Sequence, residues 1–201
     1  MPSFATFSES HNVEIEPIKK SRFFAHGAPV SSVEMAMHFV QSVREVQPDA
    51  SHYCYAWRLS GGGTRVWDDG EPAGTGGKPI LARLEGNNLY DVIIVVTRFY
   101  GGTKLGKGGL IRAYGGGATE LIAASTIRMV RMCSVLPLSL SYADQGVVHS
   151  IARAMGVEVL SESFGSVVSL ELSVPVEVAD EFAAQVTERT SGRVRVASPE
   201  P

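Results

Sequence analysis

Between Thr97 and Tyr114 the chain reads TRFYGGTKLGKGGLIRAY, which sets Arg98, Lys104, Lys107 and Arg112 among Gly101, Gly102, Gly106, Gly108 and Gly109. No acidic residue lies between Val92 and Thr119. Glycines let successive backbone N–H groups turn into one concavity, and a helix starting behind them adds the positive end of its dipole. With four cations nearby, such a loop suits an anion, and phosphate or a phosphodiester backbone is the natural guest. Gly101 to Lys107 also fits the G-x-x-x-x-G-K portion of a nucleotide-binding loop, but Gly108 stands where that motif needs Ser or Thr to ligate magnesium. The bland alternative is a tight turn with solvated lysines.

A second polar segment, DDGEPAGTGGKP from Asp68 to Pro79, holds Asp68, Asp69, Glu71 and Thr75. Its three carboxylates could hold a divalent cation, act in acid–base chemistry, or pair with the basic loop and cap the following helix. Neither a metal-ligand spacing nor a nucleophile accompanies them, which favours pairing and capping. No metal or cofactor is therefore expected, and no residue is assigned a catalytic role. His52, with Ser51 before it and Cys54 two residues on, could present an imidazole beside this window. His11, His26, His38 and His149 are scattered without metal spacing. Trp57 and the tyrosines at strand spacing read as core rather than as a base-stacking platform.

Several elements must position these loops. Val13–Lys19 and Arg22–Val30 read as a strand pair, and Ser31 or Ser32 can cap a helix carrying Val33, Met37, Val40 and Val43 at helical spacing. His52–Leu59 alternates as a half-buried strand and turns through Gly61, Gly62 and Gly63 into Thr64–Trp67. Pro79 begins a short helix, Asp91–Phe99 is β-branched enough for a central strand, and residues 108–124 form a helix that bends or packs tightly at Gly115–Gly117. Arg128–Leu136 reads as a strand leading into a boundary.

The tail follows a β-α-β-β-α-β order: strand 136–141, helix 143–155, strands 157–163 and 167–174, helix 178–190 and strand 193–197. Two units, 1–134 and 135–201, are expected, in an α+β fold class. Charge divides the same way: the first unit has 14 Lys+Arg against 12 Asp+Glu, the second 4 against 9. So slight a positive excess disfavours indiscriminate nucleic-acid binding.

A hydrophobic content of 44% suits buried cores, and the longest strongly apolar run, Val92–Val96, is too short to span a bilayer. Met1–Ser10 lacks a basic start followed by an apolar stretch, so a soluble, cytoplasmic protein is expected, with no membrane partner. Cys54 and Cys133 lack C-x-x-C spacing and read as two buried free thiols. No residue pattern specifies an oligomeric state.

KSRF at Lys20–Phe23, ASHYCYAW at Ala50–Trp57, DDGEPAGTGGKPIL at Asp68–Leu81 and VVTRFYGGTKLGKGGLIRAYG at Val95–Gly115 strongly resemble the IMPACT/YigZ family, in the family's order. The tail resembles the additional C-terminal domain of the bacterial branch. Phe99-Tyr100 departs mildly, being an aromatic pair usually written the other way round. The resemblance implies a ribosomal-protein-S5-domain-2-like N-terminal domain, similar to elongation factor G domain IV, and a ferredoxin-like C-terminal domain similar to its domain V. Eukaryotic relatives are linked to control of the amino-acid starvation kinase, so the resemblance implies a translation-associated binding protein. Its expected partner is RNA, the ribosome or a translation-related protein, docked through the glycine-rich basic loop. The alternative is an enzyme acting on a phosphorylated small ligand or phosphodiester, with Asp68, Asp69 and Glu71 as metal or base residues. No Ser-His-Asp or Cys-His motif supports a hydrolase.

Overall fold

The computed structural model describes residues 3–196, which form two compact units divided between Val130 and Arg131. The first is built on a five-stranded antiparallel sheet in the order β2-β3-β6-β4-β5. These strands are β2 (His11–Ile18), β3 (Ser21–Pro29), β4 (His52–Arg58), β5 (Thr64–Trp67) and β6 (Val92–Phe99). β6 is central because its β-branched residues are apolar on both pleat faces. Val92, Ile94 and Val96 face α2 (Gly77–Gly86) and α3 (Lys107–Ala124), while Ile93 and Val95 join the core under α1 (Val33–Val46).

β4 is not the half-buried strand its alternation suggests. Tyr53, Tyr55 and Trp57 pack in the core shared with α1, and Cys54 and Ala56 are equally buried against the opposite layer. The small side chains leave room for helices on that face. In α1, capped by Ser32 Oγ accepting from the Met35 N–H at 3.2 Å, the buried residues are Ala36, Val40 and Val43. Val33 and Met37 lie exposed, so the inward face is rotated toward Ala36.

α3 runs unbroken through Gly115–Gly117. A Cβ on Gly115 would lie 3.5 Å from Pro79 and Arg83 of α2, and one on Gly117 would lie 3.5 Å from Ile15 and Val96. Close packing on both sides thus offsets the poor helix propensity of the triplet. β1 (Ser3–Phe7), which the sequence reading missed, pairs with β7 (Ile127–Arg131) in a two-stranded sheet and buries Phe4 and Phe7.

The second unit orders β8 (Cys133–Leu140), β10 (Val168–Pro175) and β9 (Glu158–Phe164) side by side, all antiparallel. α4 (Tyr142–Met155), which joins β8 to β9, and α5 (Ala179–Arg189), which follows β10, supply Val148, Ile151, Phe182 and Val186 to a core with Leu138, Leu140, Leu170 and Leu172. This first-third-second strand order is the ferredoxin-like arrangement, and the two-unit α+β architecture agrees with the sequence expectation. The expected strand over 193–197 is not formed at 193–196, and Ala197 lies outside the described residues. The Arg193 N–H donates to the Thr190 carbonyl at 3.1 Å and the Val194 N–H to Thr190 Oγ1 at 3.2 Å, so neither N–H is free to join a ladder. Among the described residues no helix is long and apolar enough to cross a membrane.

Candidate functional site

Where β6 runs out, the chain must pass the β2–β3 turn before entering α3. The Tyr100 N–H donates to Ser51 Oγ and the Gly101 N–H to Ser21 Oγ, both at 3.2 Å. A Cβ on Gly101 would collide with the Lys20 carbonyl group and approach the Ser21 nitrogen to 2.5 Å, so only glycine passes here. Gly102 and Gly106 adopt φ of 82° and 73°, left-handed conformations that turn the loop into the helix. Gly106 precedes Lys107, the first residue of α3, whose first turn holds no acid. Its leading N–H groups carry the helix's partial positive charge.

Beside this helix start lies a cleft of about 570 Å³ whose wall includes His52, Glu71, Arg98, Tyr100, Lys104 and Lys107. Glu71 and Arg98 form its buried element: Arg98 Nη1 donates to Glu71 Oε1 at 2.7 Å, and each side chain is only 5% exposed. Tyr114 Oη donates to the same carboxylate oxygen at 2.8 Å, and Arg98 Nη2 reaches Ser21 Oγ at 3.2 Å. Arg98 Nε has no hydrogen-bond partner among the described residues. Arg98 is thus not one of four free loop cations. It is the second-last residue of β6, on the pleat face of Val92, Ile94 and Val96, so alternation directs it into the layer beneath α3.

The two aspartates are occupied by protein donors. Asp68 Oδ1 accepts from the N–H groups of Gly76 and Gly77 at 2.9 Å, and Oδ2 from Gly74 at 2.8 Å, which caps the start of α2. Burial is the largest influence on this carboxyl and pulls its pKa up, but the three N–H groups together with Lys78 outweigh it and hold it below the usual range. Asp69, at φ 43°, accepts from the Tyr53 N–H at 2.8 Å and from Trp67 Nε1 and Arg44 at 3.1 Å. Its carboxyl is also lowered, these donors and the Arg44 charge overcoming the upward pull of burial. Thr75, buried, donates to the Pro72 carbonyl at 2.6 Å and tightens the same loop.

His52 Nδ1 lies 2.8 Å from the Asp69 carbonyl oxygen. A carbonyl only accepts, so Nδ1 carries the proton and Nε2 is the nitrogen left 3.9 Å from Glu71 Oε1. Lys104 and Lys107 are exposed in the cleft wall, whereas Arg112, exposed on α3, takes no part in lining it. Gly101, Gly102, Gly108 and Gly109 shape the backbone without lining the cleft. Among the described residues no group of three or more His, Cys, Asp or Glu side chains is arranged to hold a metal ion.

Sequence reasoning missed Tyr114, Tyr100, Ser21 and Ser51. Tyr114 was legible only as an apolar position of α3, yet a fully buried phenol needs a hydrogen-bond partner, and Glu71 is that partner. Burial, followed by the nearby Cys54 and Glu71, pushes its hydroxyl pKa up. Of the two cysteines, both expected to be buried, Cys54 is buried but Cys133 is exposed. Burial pushes the Cys54 thiol up, and its Sγ donates to the Asp68 carbonyl at 3.1 Å. In native protein one thiol per chain should therefore react with an aromatic disulfide reagent, and both after denaturation. Cys133→Ser should abolish the native reaction, and two fast native thiols would contradict this assignment.

Residues 19–122 match the Impact N-terminal domain, and residues 138–193 match a domain of unknown function, DUF1949. The chain is 34% identical over 186 residues to the IMPACT family member YigZ of Escherichia coli K12, covering 90% of this chain and 91% of that protein. To an IMPACT family member of Haemophilus influenzae Rd it is 36% identical over 186 residues, 89% of each chain. A solved structure described only as that of a hypothetical protein superposes with a TM-score of 0.73 at 33% identity, covering 100% of this chain and 98% of that one. With the whole cleft wall inside the matched N-terminal stretch, the chain belongs to the IMPACT family.

Proposed function

We propose that this protein is a translation-associated binding module that docks RNA through its phosphate groups at the cleft. The observation that carries the reading is the charge arrangement of the cleft wall. Lys104, Lys107 and the acid-free start of α3 border it, while the one carboxylate in the wall, Glu71, is already paired with Arg98. An approaching phosphate thus meets cations and N–H groups without an uncompensated acid. The translation context rests on the family resemblance, and no step of turnover is required of the site.

A second reading, an enzyme acting on a phosphorylated small ligand, draws on His52 alone, whose Nδ1 is oriented by the Asp69 carbonyl. Asp68 and Asp69 offer it no metal or base function, because both oxygens of each already accept hydrogen bonds.

Fluorescence anisotropy with a short labelled RNA tests the first reading. Lys104→Ala/Lys107→Ala should weaken binding about tenfold or more at low salt and flatten the slope of log affinity against log salt by roughly 1.4, about 0.7 for each lost contact to a single strand. An unchanged slope would remove these lysines from the interface. Turnover of a phosphorylated ligand that falls with His52→Ala and survives the lysine changes would instead favour the enzyme.

A further inference from the structure

The phosphate-binding reading leaves one side chain of the cleft wall unused. Tyr100 lines the cleft and is 48% exposed. An exposed tyrosine is ordinary by itself, but three features set this one apart. Its backbone is fixed on both sides, by Ser51 Oγ at its own N–H and by Ser21 Oγ at that of Gly101. The Arg98 guanidinium carbon lies 5.2 Å from its ring centroid, within cation–π range, and Arg98 is itself anchored by Glu71 and Ser21. That guanidinium is almost wholly buried, borders the same cleft and keeps an Nε without a hydrogen-bond partner among the described residues.

The ring is thus an aromatic surface held in place before any ligand arrives, so little conformational entropy is lost when something stacks on it. The cleft, at about 570 Å³, falls in the size range of sites for ligands larger than a bare phosphate ion. An aromatic face, two lysines and a helix start around one such cavity match the two halves of a nucleotide, a planar base and a charged phosphate.

Resting on the phosphate-binding reading, we propose that Tyr100 is a base-stacking platform and that the cleft takes an unpaired nucleotide, with its phosphate at Lys104, Lys107 and the start of α3. The partner is then single-stranded RNA, or an unpaired loop or end, rather than a regular duplex. In a duplex both faces of each base are already stacked, and a narrow, deep major groove keeps side chains away from them. Stacking tolerates any base, so recognition is by single-strandedness and not by sequence.

The test uses the full chain, a short labelled single-stranded RNA and the duplex of the same sequence, in anisotropy titrations at low salt. The single strand should bind more tightly than the duplex, Tyr100→Leu should weaken single-strand binding about tenfold or more while leaving the duplex unaffected, and Tyr100→Phe should retain native affinity. Lys104→Ala/Lys107→Ala should weaken both. Equal affinity for the two RNAs with Tyr100→Leu unchanged would overturn the stacking role and leave the phosphate reading standing. Loss in Tyr100→Phe as large as in Tyr100→Leu would also overturn it, by making the hydroxyl the determinant. Failure of the native chain to bind either RNA would overturn the phosphate reading itself. Matched thermal unfolding curves for the three Tyr100 chains separate binding effects from misfolding.

Discussion

Glu71→Ala is expected to destabilise the first unit by about 3–5 kcal/mol, because it leaves the Arg98 guanidinium buried without its counter-ion. At 5% exposure on both partners, solvent cannot replace the lost interaction. Tyr114 loses its acceptor in the same change, which adds an unsatisfied buried hydroxyl. Glu71→Gln should cost less, since an amide oxygen still accepts from Arg98 and Tyr114. A Glu71→Ala/Arg98→Met double change should recover part of the loss, because no charge is then buried alone. The measurement is urea unfolding followed by tryptophan fluorescence. Trp57 and Trp67 are the only tryptophans and both lie in the first unit, so the signal reads that unit alone. A loss under about 1 kcal/mol for Glu71→Ala would show that the pair is not a structural pin.

Gly101→Ala is the second large effect, and Gly102→Ala is its internal comparison. At Gly101 the obstruction is backbone, the Lys20 carbonyl and the Ser21 nitrogen, which cannot rotate aside as a side chain would. About 3 kcal/mol or more should be lost, the upper range for overpacking. At Gly102 nothing lies within 4 Å of an added Cβ, and the cost is only that of holding an L residue at φ 82°. About 1–2 kcal/mol is expected there. Both changes read out in the same unfolding experiment, and equal losses would contradict the distinction between collision and conformational strain.

These two sites show what the chain disclosed before its structure and what it withheld. The glycine-rich loop was legible because glycine clusters and cation spacing are local, and β6 because β-branched runs are local. The role of Arg98 was not. Its charge drew it into the basic loop, although strand alternation had already placed it on the face of Val92, Ile94 and Val96, which α2 and α3 cover. Likewise, the partners of Asp68 and Asp69 are mostly backbone N–H groups, which have no sequence signature. Position counted for more than composition at Tyr100 as well: the strand tyrosines Tyr53 and Tyr55 are core, while the tyrosine one residue past β6 is the exposed ring of the cleft. In the tail, residues 193–197 suggested a strand, but the backbone N–H groups of Arg193 and Val194 are taken by the carbonyl and hydroxyl of Thr190.

Cosedimentation of the purified chain with ribosomes, at low and at moderate salt, tests the central claim most directly. The native protein should pellet with ribosomes at low salt, less so as salt rises, and Lys104→Ala/Lys107→Ala should stay in the supernatant at both. A native chain that remains in the supernatant at low salt would contradict docking to ribosomal RNA in the ribosome, and a double variant that pellets as the native chain does would contradict docking through this cleft.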